Sequence, residues 1–198
     1  MRRESSTIVC GFLYGLAASL ALAANSAAVQ DAQVSVVRDG DFVVVSASAD
    51  MPVERRVAWE VLTNYDRYAE FIPHLRVSRV LSRGNDGVVV EQKGEFTFLF
   101  FSQPMELRFA VVEKPQFRIE SHALAGSLKN LTSKYELRDV PGGLRLIYSG
   151  RFVPDIGLPP FIGLVVVRSA MEKQFSALVG EIMRRNGEHR TDNVRPAG

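Results

Sequence analysis

The sequence predicts an α+β domain. A curved antiparallel sheet of about six to seven strands carries two short helices after its first strand, and a long C-terminal helix lies across it. Three patterns lead there. Runs rich in β-branched and aromatic residues follow one another from residue 77 to residue 153, separated by short turn signals. Val53, Val57 and Val61 recur at four-residue spacing ahead of those runs. Leu164, Val167, Met171, Phe175, Leu178 and Ile182 keep three- and four-residue spacing after them.

The chain has 198 residues, 46% hydrophobic and 23% charged, which suits one domain with a substantial core. Its net charge of +2 excludes a protein that binds nucleic acid mainly through charge. A single cysteine excludes an internal disulfide and a cysteine-cluster metal site.

Residues 41–49 alternate and are β-branched, so they read as the first strand. Asp50 is placed to cap a helix over 52–63, with Pro52 in its first turn. Asn64 breaks that helix, and a second short helix runs from 65 to Ile72, ended by Pro73. Strands follow over 77–82, 88–101, 105–113, 117–124, 128–139 and 144–153. The turns between them are read at Gly84-Asn85-Asp86-Gly87, Ser102-Gln103-Pro104, Lys114-Pro115-Gln116, Gly126 and Pro141-Gly142-Gly143. Residues 155–160 form a Gly/Pro-rich hinge, and the last helix runs from there to Asn186-Gly187. Residues 187–198 are polar and read as a disordered tail.

The N-terminus reads as an export signal. Arg2 and Arg3 precede an uncharged stretch from Ser5 to Gln30, whose apolar part ends in Ala23, Ala24, Ser26, Ala27 and Ala28. The domains expected are therefore a cleaved leader over 1–28, a ligand-binding domain over 35–186 and the tail. The mature protein is expected in the periplasm or outside the cell. An uncleaved anchor is the alternative, since the apolar run is nearly long enough to span a bilayer.

One set of residues resembles a known family. Pro52-Val53-Glu54, then Val57-Ala58-Trp59-Glu60-Val61-Leu62-Thr63-Asn64-Tyr65, then Tyr68-Ala69-Glu70-Phe71-Ile72-Pro73 resemble the START-like (SRPBCC, helix-grip) superfamily. Within it they are similar to the polyketide cyclase/dehydrase and coenzyme Q-binding group. Gly150-Arg151-Phe152 in the last strand and the prolines before the final helix continue the likeness, which covers about residues 40–186. The resemblance implies a helix-grip fold with a ligand cavity between sheet and helix. It implies little about which ligand.

Strand alternation points to the same cavity without the resemblance. Val90, Gln92, Gly94, Phe96, Phe98 and Phe100 share one face of their strand, while Glu91, Lys93, Glu95 and Thr97 share the other. The uncharged face is the buried one. The same phase turns Leu107, Phe109 and Val111 inward, then Phe117, Ile119 and Ser121. It also turns in Leu131, Ser133, Tyr135 and Leu137, and Leu146, Tyr148, Gly150 and Phe152. Any one of these residues, taken alone, fits a solid core better than a pocket. The polar members of the set (Gln92, Ser121, Ser133, Tyr135 and Tyr148) are what point to a pocket, because buried polar groups need partners. The expected walls are Gln92, Phe98, Phe109, Tyr135, Tyr148, Phe152, Phe161, Met171 and Phe175, around one elongated apolar molecule. The hinge or the Phe98–Phe101 segment would form the mouth. Phe98-Leu99-Phe100-Phe101 is apolar on both faces, which suits cover by another segment or transient contact with a membrane or partner.

Catalytic signals are sparse. His74, His122 and His189 show no metal-ligand spacing, and Asp66 and Glu70 fit a solvated helix surface. No nucleophile elbow, P-loop or dinucleotide fingerprint occurs. No cofactor or metal is implied. Two functions stay open: a non-catalytic carrier of a lipid, quinone or isoprenoid, and a cyclase/dehydratase-type enzyme using the same cavity on a polyketide-like or aromatic substrate. Export favours the carrier. N-terminal sequencing of the protein from its own host should find a start between Ala24 and Val29; Arg2 retained in a membrane-bound protein would refute cleavage.

Overall fold

The computed structural model describes residues 32–98, 101–154 and 160–194. The side chains of 96–98, 101, 160–162 and 192–194 lie outside that description. The expected leader over 1–28 and most of the 155–160 hinge fall outside the described residues as well.

Among the described residues eight strands, β1 (Gln33–Asp39), β2 (Phe42–Met51), β3 (Leu75–Gly84), β4 (Gly87–Phe98), β5 (Phe101–Lys114), β6 (Arg118–Gly126), β7 (Leu128–Val140) and β8 (Gly143–Pro154), form one antiparallel sheet in the order β1-β2-β8-β7-β6-β5-β4-β3. Strand β1 (Gln33–Asp39) was not expected: its two inward valines, Val34 and Val36, make too short a pattern to stand out. It pairs with β2 (Phe42–Met51) through a tight turn in which Gly40 adopts φ 58°. Val43, Val45, Ala47, Ala49 and Met51 of β2 alternate into the core.

Helix α1 spans Arg55–Thr63 and buries Val57, Ala58, Val61 and Leu62, as the four-residue spacing predicts. It starts later than expected. Asp50 stays in β2, held by Arg145 at 2.5 and 2.7 Å, and does not cap. The amide that opens the helix, Glu54 N–H, donates instead to Asn186 Oδ1 at 3.0 Å, from the far end of the chain. A single 3-10 turn, Tyr65–Arg67, leads into α2 (Tyr68–Phe71). Asp66 is structural: its carboxylate accepts Val80 N–H at 2.7 Å, at the edge of the sheet.

The meander then runs through β3 (Leu75–Gly84), β4 (Gly87–Phe98), β5 (Phe101–Lys114), β6 (Arg118–Gly126), β7 (Leu128–Val140) and β8 (Gly143–Pro154). Strand β4 ends earlier than expected. Its ladder with β5 closes at the Phe98–Phe101 rung, and Pro104, expected in a turn, lies inside β5 opposite Glu95. A proline is tolerated there because β6 does not pair with β5 until Leu107–Gly126. Phe117 is also corrected. It sits in the turn before β6, 66% exposed, because Gln116 adopts φ 61° and the strand begins only at Arg118. The Arg55 guanidinium covers its ring at 5.3 Å. On the convex face the expected charges appear. Glu91 lies between Arg79 and Arg108 at 2.6 and 3.3 Å, one residue from each neighbouring strand.

Helix α3 spans Pro160–Val194. Val167, Phe175, Leu178, Val179 and Ile182 bury its apolar stripe against the sheet. The helix does not stop at Asn186-Gly187 but continues to Val194. Asn186 is itself buried, with Oδ1 on Glu54 N–H and Nδ2 donating to Pro52 O at 3.4 Å. An Arg184–Glu188 ion pair spans Gly187, and the Thr191 hydroxyl donates to Gly187 O at 3.2 Å and to Glu188 O at 2.7 Å. These contacts offset the cost of about 1 kcal/mol that a mid-helix glycine carries.

Phe175 is 1% exposed. Phe175→Ala should therefore cost about 3–5 kcal/mol of folding free energy, read as a lower urea midpoint with an unchanged m-value. An unchanged midpoint would mean that α3 is not anchored through this ring.

Candidate functional site

The inward face of the sheet is arranged in rungs. One runs Val45–Gly150–Ser133–Ser121–Val111 across β2, β8, β7, β6 and β5. Its centre is small: a glycine and two serines. The next rung carries Ala47, Tyr148, Tyr135 and Ile119. The two tyrosine rings meet at 4.8 Å between centroids, inclined by 49°. The Tyr148 ring lies along its strand over Gly150, and a Cβ at position 150 would stand 2.5 Å from the Tyr148 hydroxyl. Small residues in one rung and a ring folded over them leave a space that α3 does not fill.

That space is a cavity of about 160 Å³ between the concave face, the α1–β3 segment and α3. Of the expected walls, Gln92, Phe109, Tyr135, Tyr148, Phe152 and Met171 line it. Phe175 does not: α3 contributes Met171, Gln174 and Leu178, and Phe175 is buried in the core beside that stripe. Phe98 and Phe161 carry side chains outside the described residues, as does the expected mouth. Tyr65, Tyr68, Ile72 and Met105 also line the cavity, although the sequence reading did not select them. Gln174 could have been found three residues after Met171 on the same helical face. Tyr65 and Tyr68 stood in the family-like segment, but nothing local aims their rings inward. A wider trough of about 520 Å³ lies on the convex face among Glu120, His122, Lys134 and Arg151, but it is shallow and open to solvent.

Most polar groups around the cavity are already engaged. Tyr65 donates its hydroxyl to Glu113 at 2.9 Å, and Tyr68 donates to Leu62 O at 2.8 Å. Gln92 Nε2 donates to Ser78 Oγ at 3.2 Å, and Ser78 donates to Tyr65 O at 2.6 Å. Ser121 and Ser133 share a hydrogen bond of 2.6 Å. The Tyr135 hydroxyl makes no hydrogen bond to a described residue, and Tyr135 lines the cavity. Burial pushes the Tyr65, Tyr68 and Tyr135 phenols well above the ordinary value; for Tyr65 the Glu113 carboxylate adds to it. Burial takes Tyr148 up to about 12, against a partial lowering by Ser133. At neutral pH these phenols are donors in their neutral form. Among the described lining residues the polar groups are hydroxyls and amides. The site can hold an apolar ring and offer it hydrogen bonds.

Comparison with known proteins agrees with this architecture. The "STAR-related lipid transfer protein" of Xanthomonas axonopodis superposes with a TM-score of 0.62 at 10% identity, over 77% of this chain and 94% of that one. The Zhui aromatase/cyclase of Streptomyces sp. R1128 gives 0.60 at 16%, over 79% and 98%. A START superfamily protein from Mycobacterium smegmatis gives 0.58 at 14%, over 74% and 98%. At these identities the likeness is one of fold, the START-like helix-grip. No curated protein matches the sequence. Residues 51–179 match the model of the family described as polyketide cyclase/dehydrase and lipid transport, and the chain belongs to that family.

Proposed function

We propose that the protein binds one hydrophobic small molecule (a lipid, quinone or isoprenoid) and carries it unchanged, acting after export. The observation that carries this reading is the cavity wall: apolar, with neutral hydroxyls and amides whose phenols stay protonated at neutral pH. Its volume of about 160 Å³ suits one ring or a short branched alkyl segment, close to the roughly 150 Å³ that admits benzene in an engineered apolar cavity. At that volume it does not enclose an elongated molecule; Tyr65, Tyr68, Ile72 and Met105 are among the side chains that bound it. The ring end of the ligand belongs inside. The Tyr135 hydroxyl is the free donor for a carbonyl on that ring.

A second reading, cyclase/dehydratase-type catalysis, draws on one feature. Ser121, Ser133 and Tyr148 converge on a single corner of the cavity, where hydroxyls could steer a reactive substrate. Native mass spectrometry of protein from its own host, followed by extraction, separates the two. A carrier releases a copurified molecule that is unchanged after incubation with fresh protein; a new product would establish the enzyme.

Two variants test the cavity itself, with acetophenone and ethylbenzene as probes in ligand-observed NMR titrations. Tyr135→Phe should weaken acetophenone by about 0.5–1.5 kcal/mol and leave ethylbenzene unchanged. Gly150→Ala should fold, displace the Tyr148 ring into the cavity and weaken both probes. Wild-type affinity in both variants would mean that the ligand sits elsewhere.

A further inference from the structure

The surface beside the cavity bears on the ligand's other end. A second, narrow hollow of about 20 Å³ lies beside it, lined by Pro73, His74, Glu95, Ala170 and Lys173. The two spaces share Met105 and Gln174, so these side chains form the partition between them. The outer rim is exposed at His74 and Lys173, whereas Met105 is buried. The hollow therefore leads from solvent to this partition, and the tyrosine-lined space lies on its other side.

One side of this passage is rigid. His74 adopts φ 62°, and its carbonyl accepts Glu95 N–H at 3.0 Å. Gly94 lies so close that a Cβ there would stand 2.3 Å from the same carbonyl. The other side can yield. Met105 is unbranched, and Gln174 makes no hydrogen bond to a described residue.

The charges at the rim are unequal. Glu95 is spoken for, with one carboxylate oxygen on Arg76 at 2.8 Å and the other on the Ser102 hydroxyl at 2.9 Å. Arg76 and Ser102 hold that carboxyl below its ordinary value. One residue before Lys173 on α3, Glu172 is paired with Arg168 at 2.9 Å. Lys173 makes no ion pair with a described residue. Among the described residues the rim is left with one cation that makes no ion pair, beside an amide and above an apolar hole.

We infer that the ligand is an amphiphile with an acidic headgroup, a carboxylate or phosphate, which stays at this rim on Lys173 while its ring or tail passes between Met105 and Gln174. The inference rests on the cavity reading above and adds the headgroup's charge and position. An exposed pair of this kind is worth about a two- to fivefold preference.

The test compares 4-phenylbutyrate with 4-phenylbutyramide, which differ in charge at nearly constant shape, by calorimetric titration of the full chain at low salt. The acid should bind about two- to fivefold more tightly to the wild type. Lys173→Met should abolish that preference without weakening the amide, and Lys173→Arg should keep it. Lys173 is exposed, so neither change threatens folding. Equal binding of acid and amide to the wild type, or a preference that survives Lys173→Met, overturns the inference and leaves the cavity reading standing. Binding of neither compound overturns both.

Discussion

One helix has to cover the concave face of eight strands. A helix with its side chains is about 10 Å across, much narrower than the sheet it lies on. Phe175, Leu178 and Ile182 hold it against one part of that face, and the remaining area must be filled from the sheet itself. Large inward side chains fill it almost everywhere. They fail at the Gly150–Ser133–Ser121 rung, where a glycine and two serines stand side by side. The missing Cβ at Gly150 also lets the Tyr148 ring recline along its own strand. The cavity follows from this local shortage of bulk, and the open ends of the helix-grip need no special device to create it.

Much of this is legible in the sequence because it depends on alternation alone. The inward phase of β4 follows from charge on Glu91, Lys93 and Glu95 and its absence on Val90 and Gln92, and the same alternation gives that of β5, β7 and β8. Five of the expected cavity walls, Gln92, Phe109, Tyr135, Tyr148 and Phe152, were reachable that way, and Met171 by its helical spacing. What escaped depends on contacts distant in the chain. Strand β1 is specified by its pairing with β2 more than by its own residues. Pro104 sits in a strand only because β6 begins late. Phe117 obeys the period but lies before the strand, where Gln116 has already turned the chain. Phe175 and Met171 share a helical spacing, and only the placement of α3 decides which of them meets empty space.

The same reasoning explains why relatives of this fold include a lipid transfer protein and an aromatase/cyclase. The frame places a hollow in one spot, and a handful of inward side chains decides its volume and donors. Here those side chains are tyrosines, serines and amides, with bulky residues from the α1–β3 segment reducing the space to the size of a ring. Changing function within such a frame takes substitutions on two adjacent rungs and leaves the strands alone.

Asn186 gives the protein a chemical memory. Asn-Gly pairs are the quickest to cyclise to succinimide and deamidate, because the glycine amide nitrogen can swing onto the side-chain carbonyl carbon. In this chain the Asn186 amide is held by Glu54 and Pro52, and the Gly187 backbone is committed to a helix, so that attack has no geometry open to it. Cyclisation needs the end of α3 to detach first. Once it has happened, a buried carboxylate would face the Pro52 carbonyl, with the donor that used to meet it gone. The extent of deamidation at Asn186 in an aged sample therefore counts the time that α3 has spent away from the sheet, and each such event makes its return less favourable.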